Sequence, residues 1–149
     1  MKLKKLFIYF IIFALLPLMK TPALASENLA KNATAYLQSN SGAALSPSSN
    51  QVAEYAIDGD ITTGACAAGD WIWTLHLDLG IVQERINQVA LTFLNDTMKP
   101  TDFEILLSED GVKWVTVKSI QNNTVFSRKI YEFDPMDARY VRVRDLKAY

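Results

Sequence analysis

The sequence is short of the residues that most often build covalent cross-links and metal centres. Its 149 residues include one cysteine, Cys66, and one histidine, His76. A single thiol cannot form a disulfide within the chain, and one thiol with one imidazole falls short of the three or four ligands that a zinc site takes. Cys66 is therefore predicted to be a small, partly buried residue rather than a reactive one.

Recognisable catalytic motifs are also missing. One histidine with no nucleophile elbow gives no Ser-His-Asp triad, and no glycine-rich segment of the kind that cradles phosphate is present among the six glycines. A glycosidase needs only two carboxylates, and the chain has 16 acidic residues. Composition alone leaves that alternative open and disfavours the other catalytic classes.

The first 25 residues have the pattern of a secretory signal peptide. Three lysines precede an apolar run over residues 6–19, and Ala23-Leu24-Ala25 supplies the small residues that signal peptidase requires. The alternative is an uncut membrane anchor, which is disfavoured because the run is short for a bilayer span and Pro17 interrupts it. We expect cleavage after Ala25, secretion of the protein, and one folded domain over residues 26–149.

The chain without this leader is mildly acidic. The leader holds four of the 15 lysine and arginine residues and none of the 16 acidic ones, so the remainder carries a net charge of about −5. An acidic surface repels phosphate backbones and gains nothing from counterion release. Nucleic acid is therefore not an expected partner.

Apolar residues recur with a period of two along most of the chain. The clearest strand is Trp73 to Leu79, with its odd-numbered residues on one face and His76 on the other. Further strands are predicted at residues 89–93, 103–107, 114–118, 126–133 and 140–145, with turns at Asp110-Gly111, at Asn122-Asn123 and at Asp134-Pro135. Residues 39–50 are rich in Ser and Asn and predict a surface loop. The pattern favours an antiparallel β-sandwich.

Three further predictions concern individual side chains. Trp73 and Trp114 fit core positions, and His76 fits the solvent face of the sheet. Arg142 and Arg144 alternate with Val141 and Val143, which predicts a solvated, basic strand face; an anion or lipid-headgroup patch is the less favoured alternative.

Asp58-Gly59-Asp60 is the segment that most suggests metal binding. Two carboxylates around a glycine allow a tight turn that gathers oxygen atoms around a hard cation such as calcium. The segment is not an EF-hand, because Thr63 and Gly69 stand where that loop needs Gly and Glu. An Asp-Gly turn without metal is the alternative.

Carbohydrate contacts are predicted on the loops. A sugar site needs an aromatic ring for the apolar face of a pyranose and planar polar groups for its hydroxyls. Trp71 is the best ring, because it lies just before the core-facing run begins; packing under its own loop is the alternative. The polar candidates stand in two later loops: Asn95, Asp96, Lys99, Asn122 and Arg128.

Four motifs occur in a fixed order: Ala56-Ile57-Asp58-Gly59-Asp60, Leu77-Asp78-Leu79-Gly80, Ser108-Glu109-Asp110-Gly111 and Ala138-Arg139-Tyr140-Val141-Arg142-Val143. The series resembles the discoidin family, which is named for the C-terminal domains of coagulation factors five and eight and includes the family 32 carbohydrate-binding modules. The resemblance runs from about Asn28 to the final residue. It implies a galactose-binding-domain-like jelly-roll β-sandwich that performs no chemistry. The family's further closing strand has no counterpart before Tyr149, so we expect a domain that lacks its last strand or finishes that edge differently.

The resemblance also implies a ligand set for one structural calcium. By family position, Tyr55 and Asp60 offer carbonyls, Asp58 its carboxylate, and Thr63 a carbonyl and its hydroxyl. No arginine stands at 94–101, where several galactose binders carry one, so no galactose preference is predicted.

The function implied is a secreted, non-catalytic module that recognises cell-wall or extracellular glycan. The rival is an adhesion module for a protein or a membrane surface, whose lipid version is weakened because the loops offer only Leu45 and Met98 as apolar contacts. A third possibility is a piece of a larger glycosidase.

Overall fold

The structure is a computed structural model that describes residues 27–69 and 72–148. Within these ranges no helix is both long and apolar enough to cross a membrane. Apart from two single 3-10 turns, Leu29–Asn32 and Ala53–Ala56, the regular elements are strands. These are β1 (Thr34–Ser39), β2 (Trp73–Leu91), β3 (Asp102–Ser108), β4 (Val115–Ile120) and β5 (Lys129–Lys147).

All five strands are joined in one antiparallel sheet. The strand order is β1-β2-β5-β3-β4, so the two long strands lie at its centre beside each other. The antiparallel directions bring the end of β1, the starts of β2 and β3, and the ends of β4 and β5 to the same end of the sheet. The loops that join these strand ends therefore share one end of the molecule.

The sheet closes into a sandwich because β2 and β5 bend. Their pairing shifts register three times between Asp78 and Gln88, and such irregularities let a strand pass from one layer into the other. Tyr131 and Val143 would lie about 40 Å apart on a straight strand. Both nevertheless pack into one buried cluster with Phe103. The strand therefore folds back over the core, and the β-sandwich prediction is confirmed.

The core lies between the two layers and has two parts. One is an aliphatic cluster that includes Leu37, Leu77 and Val141, against which Trp73 packs. The other is aromatic: the Phe103 ring meets the rings of Phe93 and Tyr131 edge to face, each at a centroid distance of 5.6 Å. Edge-to-face pairs add specific geometry to the apolar area that they bury.

The strand predictions at 73–79 and 103–107 are confirmed, but the predicted break at Asp134-Pro135 is wrong. The sequence predicts separate strands at 126–133 and 140–145, but residues 129–133 and 140–145 belong to the single strand β5, and 126–128 lie in the loop before it. Between Glu132 and Met136 the register with β2 shifts, so the proline falls in an irregular stretch where its missing N–H is tolerated. Likewise, residues 89–91 of the strand predicted at 89–93 are the end of β2, and residues 92–93 lie in the following loop.

Trp114 does not occupy the predicted core position. It lies on the outer face of the sheet, where its ring contacts His76 and Tyr140. Its indole N–H donates to the Gly111 carbonyl at 3.1 Å, because the Asp110-Gly111 turn brings that oxygen under the ring. The period of two failed here because Trp114 precedes β4 rather than lying within it.

Candidate functional site

The loops at residues 40–69, 92–101 and 121–128 lie at one end of the sandwich, which we call the loop end. Backbone hydrogen bonds join them to the end of β5: the Asn123 N–H donates to the Thr101 carbonyl at 2.7 Å, and the Thr101 N–H donates to the Lys147 carbonyl at 3.0 Å. A Cβ built on Gly64 would lie 3.5 Å from the Leu94 side chain, so the first loop also approaches the second. The predicted polar contact residues are thus brought to one end of the molecule.

The Asp58 loop brings several oxygen atoms close together. The Asp58 carboxylate accepts from the Asp60 N–H at 2.8 Å and from the Thr63 hydroxyl at 2.7 Å. The same hydroxyl lies 2.9 Å from the Asp60 carbonyl oxygen. Gly59 makes the turn at φ +84°, a conformation that favours glycine. Three of the expected calcium-binding groups are therefore already neighbours.

These groups suit a hard cation in their chemistry. A hydroxyl has one proton, so Thr63 cannot donate to both of its neighbouring oxygens at once, and a cation would satisfy the excess of acceptors. Nowhere in residues 27–69 and 72–148 do three or more His, Cys, Asp or Glu side chains gather as metal ligands. A calcium ion here would therefore depend on carbonyl and hydroxyl oxygens beside the Asp58 carboxylate.

The 92–101 loop uses two of its three candidate residues to hold itself together. The Asn95 side-chain oxygen accepts from both N–H groups of Thr97 and Met98 and from the Thr97 hydroxyl, at 2.8–3.0 Å. Lys99 is 5% exposed, and its ammonium contacts the Asp96 carbonyl at 3.0 Å and the Asp96 carboxylate at 2.9 Å. Asp96, whose side chain is 60% exposed, is the residue of the three that is open to solvent.

The 121–128 loop carries the remaining candidates. Asn122 and Arg128 are both exposed, and Asn122 has a φ of 52°, as expected of asparagine in a tight turn. Its neighbour Asn123 is buried and donates its side-chain amide to the carbonyls of Pro100 and Val125, both at 3.1 Å. Asn123 thus ties two loops together; the Asn-Asn pair signalled a turn but not which member lies inside. Trp71 is outside the described residues.

A second group of polar and aromatic side chains lies on the outer face of the sheet. The register places Tyr36, His76 and Arg142 side by side on β1, β2 and β5. Trp114 and Tyr140 complete what we call the sheet-face cluster, with ring centroids 5.6 and 5.7 Å from that of His76. His76 is therefore 8% exposed, and the prediction of a solvent-facing histidine is wrong because aromatic neighbours cover it.

The charges around this cluster are mostly paired. Arg139 donates to both carboxylate oxygens of Asp78, at 2.8 and 2.9 Å, and this bidentate contact lowers the pKa of Asp78 to about 2. Arg144 pairs with Glu104. Arg142 instead donates its Nε–H to Nδ1 of His76 at 3.0 Å, and burial together with the Arg142 charge lowers the pKa of His76. The predicted solvated, basic face is in fact a packed and largely neutralised one.

The sandwich and its loop end define a discoidin-like, galactose-binding-domain-like module. The family model described as "NedA-like, galactose-binding domain", of the coagulation factor five/eight C-terminal type, matches residues 55–143. The chain belongs to this family, as the four motifs predicted. No curated protein matches it in sequence.

Several solved structures similar to this chain are carbohydrate-binding modules. Chitosan-binding module 1 of a chitosanase/glucanase from Paenibacillus sp. IK-5 is 28% identical with a TM-score of 0.66, and the match covers 80% of this chain and 86% of that one. Module 2 of the same enzyme, in complex with chitotriose, is 25% identical with a TM-score of 0.66, over 82% and 92%.

A third similar structure has lower identity. It is a family 32 carbohydrate-binding module from Clostridium perfringens in complex with GalNAc-β-1,3-galactose, 21% identical with a TM-score of 0.66, over 80% of this chain and 87% of that one. This likeness supports the fold, and together the matches give the chain the fold of carbohydrate-binding modules.

Proposed function

We propose that the protein is a non-catalytic module that binds cell-wall or extracellular glycan through its loop end. The observation that carries this proposal is its family membership together with a fold shared, over at least 80% of the chain, with modules that bind sugars. The loop end supports it physically, because Asp96, Asn122 and Arg128 are exposed on neighbouring loops. Such a surface gives shallow contacts and modest affinity, since each solvent-competed hydrogen bond contributes only about 0.5–1.5 kcal/mol.

Chito-oligosaccharides are the first ligands to test. The two similar structures described above with 25% identity or more are chitosan-binding modules, one of them in complex with chitotriose. The Asp96 side chain is exposed, and while Lys99 contacts its Oδ1, its Oδ2 is a suitable acceptor for the ammonium group of a glucosamine residue. Galactose-type sugars are the comparison, because a relative of lower identity binds GalNAc-β-1,3-galactose.

A glycan array with matched variants tests the loop end. Wild type should bind at least one glycan, and Trp71→Ala and Asp96→Asn should weaken that binding by about tenfold if each removes one ring or one charged contact. Glu109→Ala, an exposed acid in the turn at the other end of the sandwich, should leave it unchanged. Binding that survives Trp71→Ala, Asp96→Asn and Arg128→Gln together would contradict a loop-end site.

We further propose that calcium stabilises the Tyr55–Thr63 loop. Its oxygen atoms are already gathered by the Asp58 carboxylate, as described above. Chelator should lower the Tm of the domain and added calcium should restore it, while Asp58→Ala should abolish the response. Glu109→Ala is the control and should respond as wild type does. An unchanged Tm with chelator would remove the metal from the proposal.

Secretion is also part of the proposal, because glycan of this kind lies outside the cell. It rests on the leader pattern of residues 1–25. N-terminal sequencing of the exported protein should begin at Ser26. Retention of residues 1–25 on a membrane-bound product would favour the anchor alternative.

An adhesion role at a membrane or protein surface is the second candidate. Three apolar side chains on separate loops of the loop end are strongly exposed: Ile61 (79%), Met98 (49%) and Phe126 (44%). Leu45, the other apolar residue expected there, is half-buried and packs against the core. Cosedimentation with liposomes distinguishes the two functions: loss of liposome binding in Ile61→Ser, with no glycan bound by wild type, would favour adhesion.

A further inference from the structure

The sheet-face cluster has the composition of a binding site and lies away from the loop end. Tyr36, His76 and Arg142 form one cross-strand row over three adjacent strands. Tyr36 is 46% exposed at the edge of this row, and its ring meets His76 edge to face at 5.8 Å. The row thus offers an open aromatic ring at one side and a guanidinium about 10 Å away at the other, two strand spacings apart.

Arg142 is held in place by its neighbours, yet within the described residues most of its hydrogen-bond donors are free. Its guanidinium carbon lies 3.8 Å from the centroid of the Trp114 ring, its Nε–H donates to His76, and one Nη2–H donates to Gln38 at 3.3 Å. A guanidinium has five N–H groups. Three of the five have no acceptor in the part of the chain that the structure describes. A fixed guanidinium with free donors loses little entropy when it binds a planar anion.

The charge at this position is also uncompensated. The neighbouring arginines on the same face are each paired, Arg139 with Asp78 and Arg144 with Glu104. Across residues 27–69 and 72–148, Arg142 makes no such ion pair. Burial, and next the charge of Arg144, lower the pKa of Arg142, so its cation is less stable there than in water. An incoming carboxylate would offset that cost, because opposite charge favours the charged form.

The shape of the face selects among anions. Tyr36 offers a ring for the apolar side of a pyranose, and the Arg142 fork matches a carboxylate in two parallel hydrogen bonds. A lipid-binding face presents aliphatic side chains that enter the bilayer, whereas the neighbours of Arg142 on this face are His76, Gln38, Arg144 and the Trp114 ring that the guanidinium covers. The chemistry therefore fits an acidic sugar better than a membrane surface.

We propose that the sheet-face cluster is a second glycan site that takes a uronic-acid residue, with its carboxylate on Arg142 and an adjoining sugar ring on Tyr36. This site is separate from the loop end and goes beyond the neutral or amino-sugar binding proposed there. His76 positions it: with Nδ1 accepting from Arg142, the neutral imidazole keeps the guanidinium turned toward the sugar.

The test is a titration of the full exported chain with trigalacturonate, followed by isothermal calorimetry and by NMR of side-chain N–H signals. We expect binding with shifts at Arg142 Nε–H and Trp114 Nε1–H. Arg142→Gln should reduce affinity at least tenfold, and Tyr36→Ala about five- to tenfold. Arg85→Gln, which changes an exposed arginine outside both sites, is the matched control and should bind as wild type. Galactotriose, which lacks the carboxylates, should cause no shift at Arg142.

Two further measurements keep the result interpretable. The Tm of each variant is measured first, and Tyr36→Ala at the exposed edge provides a folded variant if Arg142→Gln unfolds. Sodium acetate at matched concentration tests the carboxylate alone and should bind far more weakly than the trisaccharide. Equal binding by acetate, shifts confined to the loop end, or unchanged affinity in Tyr36→Ala would each overturn the sheet-face site, while loop-end shifts would leave the proposed function standing.

Discussion

The loop end and the sheet face are built in different ways. At the loop end most side-chain hydrogen bonds join residues two to five positions apart, as in the Asp58–Thr63 and Asn95–Met98 turns. On the sheet face they join residues far apart in the sequence: His76 to Arg142 over 66 positions and Gln38 to Arg142 over 104. The first surface is a set of local turns held on a scaffold, and the second is formed by the scaffold itself.

This difference predicts how each surface responds to damage. A local turn can lose its side-chain hydrogen bonds while the strands around it stay paired, because those bonds stabilise only the few residues of the turn. On the sheet face, Arg142 of β5 donates to side chains of β1 and β2 and covers the Trp114 ring, so the loss of such a side chain affects several strands. We therefore expect stability to depend more on the sheet face and ligand choice more on the loops.

Substitution of Asp145 is expected to change stability most. This residue lies where the loop end meets the sheet, and its pKa is strongly raised. Asn40 of the first loop donates to the Asp145 backbone carbonyl at 2.7 Å, and Asp145 is paired across the sheet with the fully buried Phe103 of β3. Burial raises the pKa of Asp145 from 3.8 to about 7. The folded state thus holds this proton more tightly than the unfolded state, so the contribution of Asp145 to stability is most favourable below pH 4, falls between pH 4 and 7, and is then level.

Asp145→Asn should flatten this pH dependence. The pKa difference corresponds to up to about 4 kcal/mol at pH 8. Urea denaturation at pH 5 and pH 8 should show wild type losing stability with rising pH and the variant changing little. An equal loss in both proteins would contradict the assignment to Asp145. Glu109→Asn is the control and should behave as wild type.

Trp114→Ala contrasts the two surfaces directly. Trp114 contacts His76, Tyr140 and Arg142 across the sheet face, and its loss should cost about 2–3 kcal/mol, less than a fully buried aromatic residue. Phe126→Ala at the loop end removes a ring that is 44% exposed and should cost under about 1 kcal/mol. Denaturant midpoints check both. Similar losses in the two variants would break the comparison.

Asn123→Ala tests a loop-end hydrogen bond that is not local, because Asn123 donates to Pro100, 23 positions away. This buried amide joins the carbonyls of Pro100 and Val125, so its removal leaves two acceptors without a partner. We expect a loss of about 1–2 kcal/mol. The exposed neighbour provides the control, and Asn122→Gly should be neutral or slightly stabilising because φ there is 52°. A neutral Asn123→Ala would mean that the two loops are held by their backbone alone.

The smallest effect concerns the Asp78–Arg139 pair. Because the pKa of Asp78 is held at about 2, its stabilising contribution is present above pH 4 and is lost as pH falls through 2. Solvent screens this pair, so the shift in Tm should be small. Melting curves from pH 5 to pH 2 should fall less steeply for Asp78→Asn than for wild type. Identical slopes would show that the pair contributes nothing.

The sequence predicted the parts of the fold that depend on neighbouring residues. The alternation at 73–79 and 103–107 placed strands correctly, and Asp110-Gly111 and Asn122-Asn123 marked real turns. It missed the continuity of β5 because Pro135 is a strong local signal for a break, whereas a bulge in a long paired strand accommodates it. The sequence also could not show that Asn95 and Lys99 stabilise their own loop whereas the Asp96 side chain is open to solvent.

By itself, the sequence determined the fold class, the family motifs and the loops that carry polar side chains, since these follow from periodicity and turn chemistry over a few residues. Tertiary structure alone decided that Tyr36, His76, Trp114 and Arg142 form one cluster, and that Asp145 faces inward beneath a loop. The physical reason is strand register: the period of two assigns a side chain to a face, but only the pairing of distant strands assigns its neighbours.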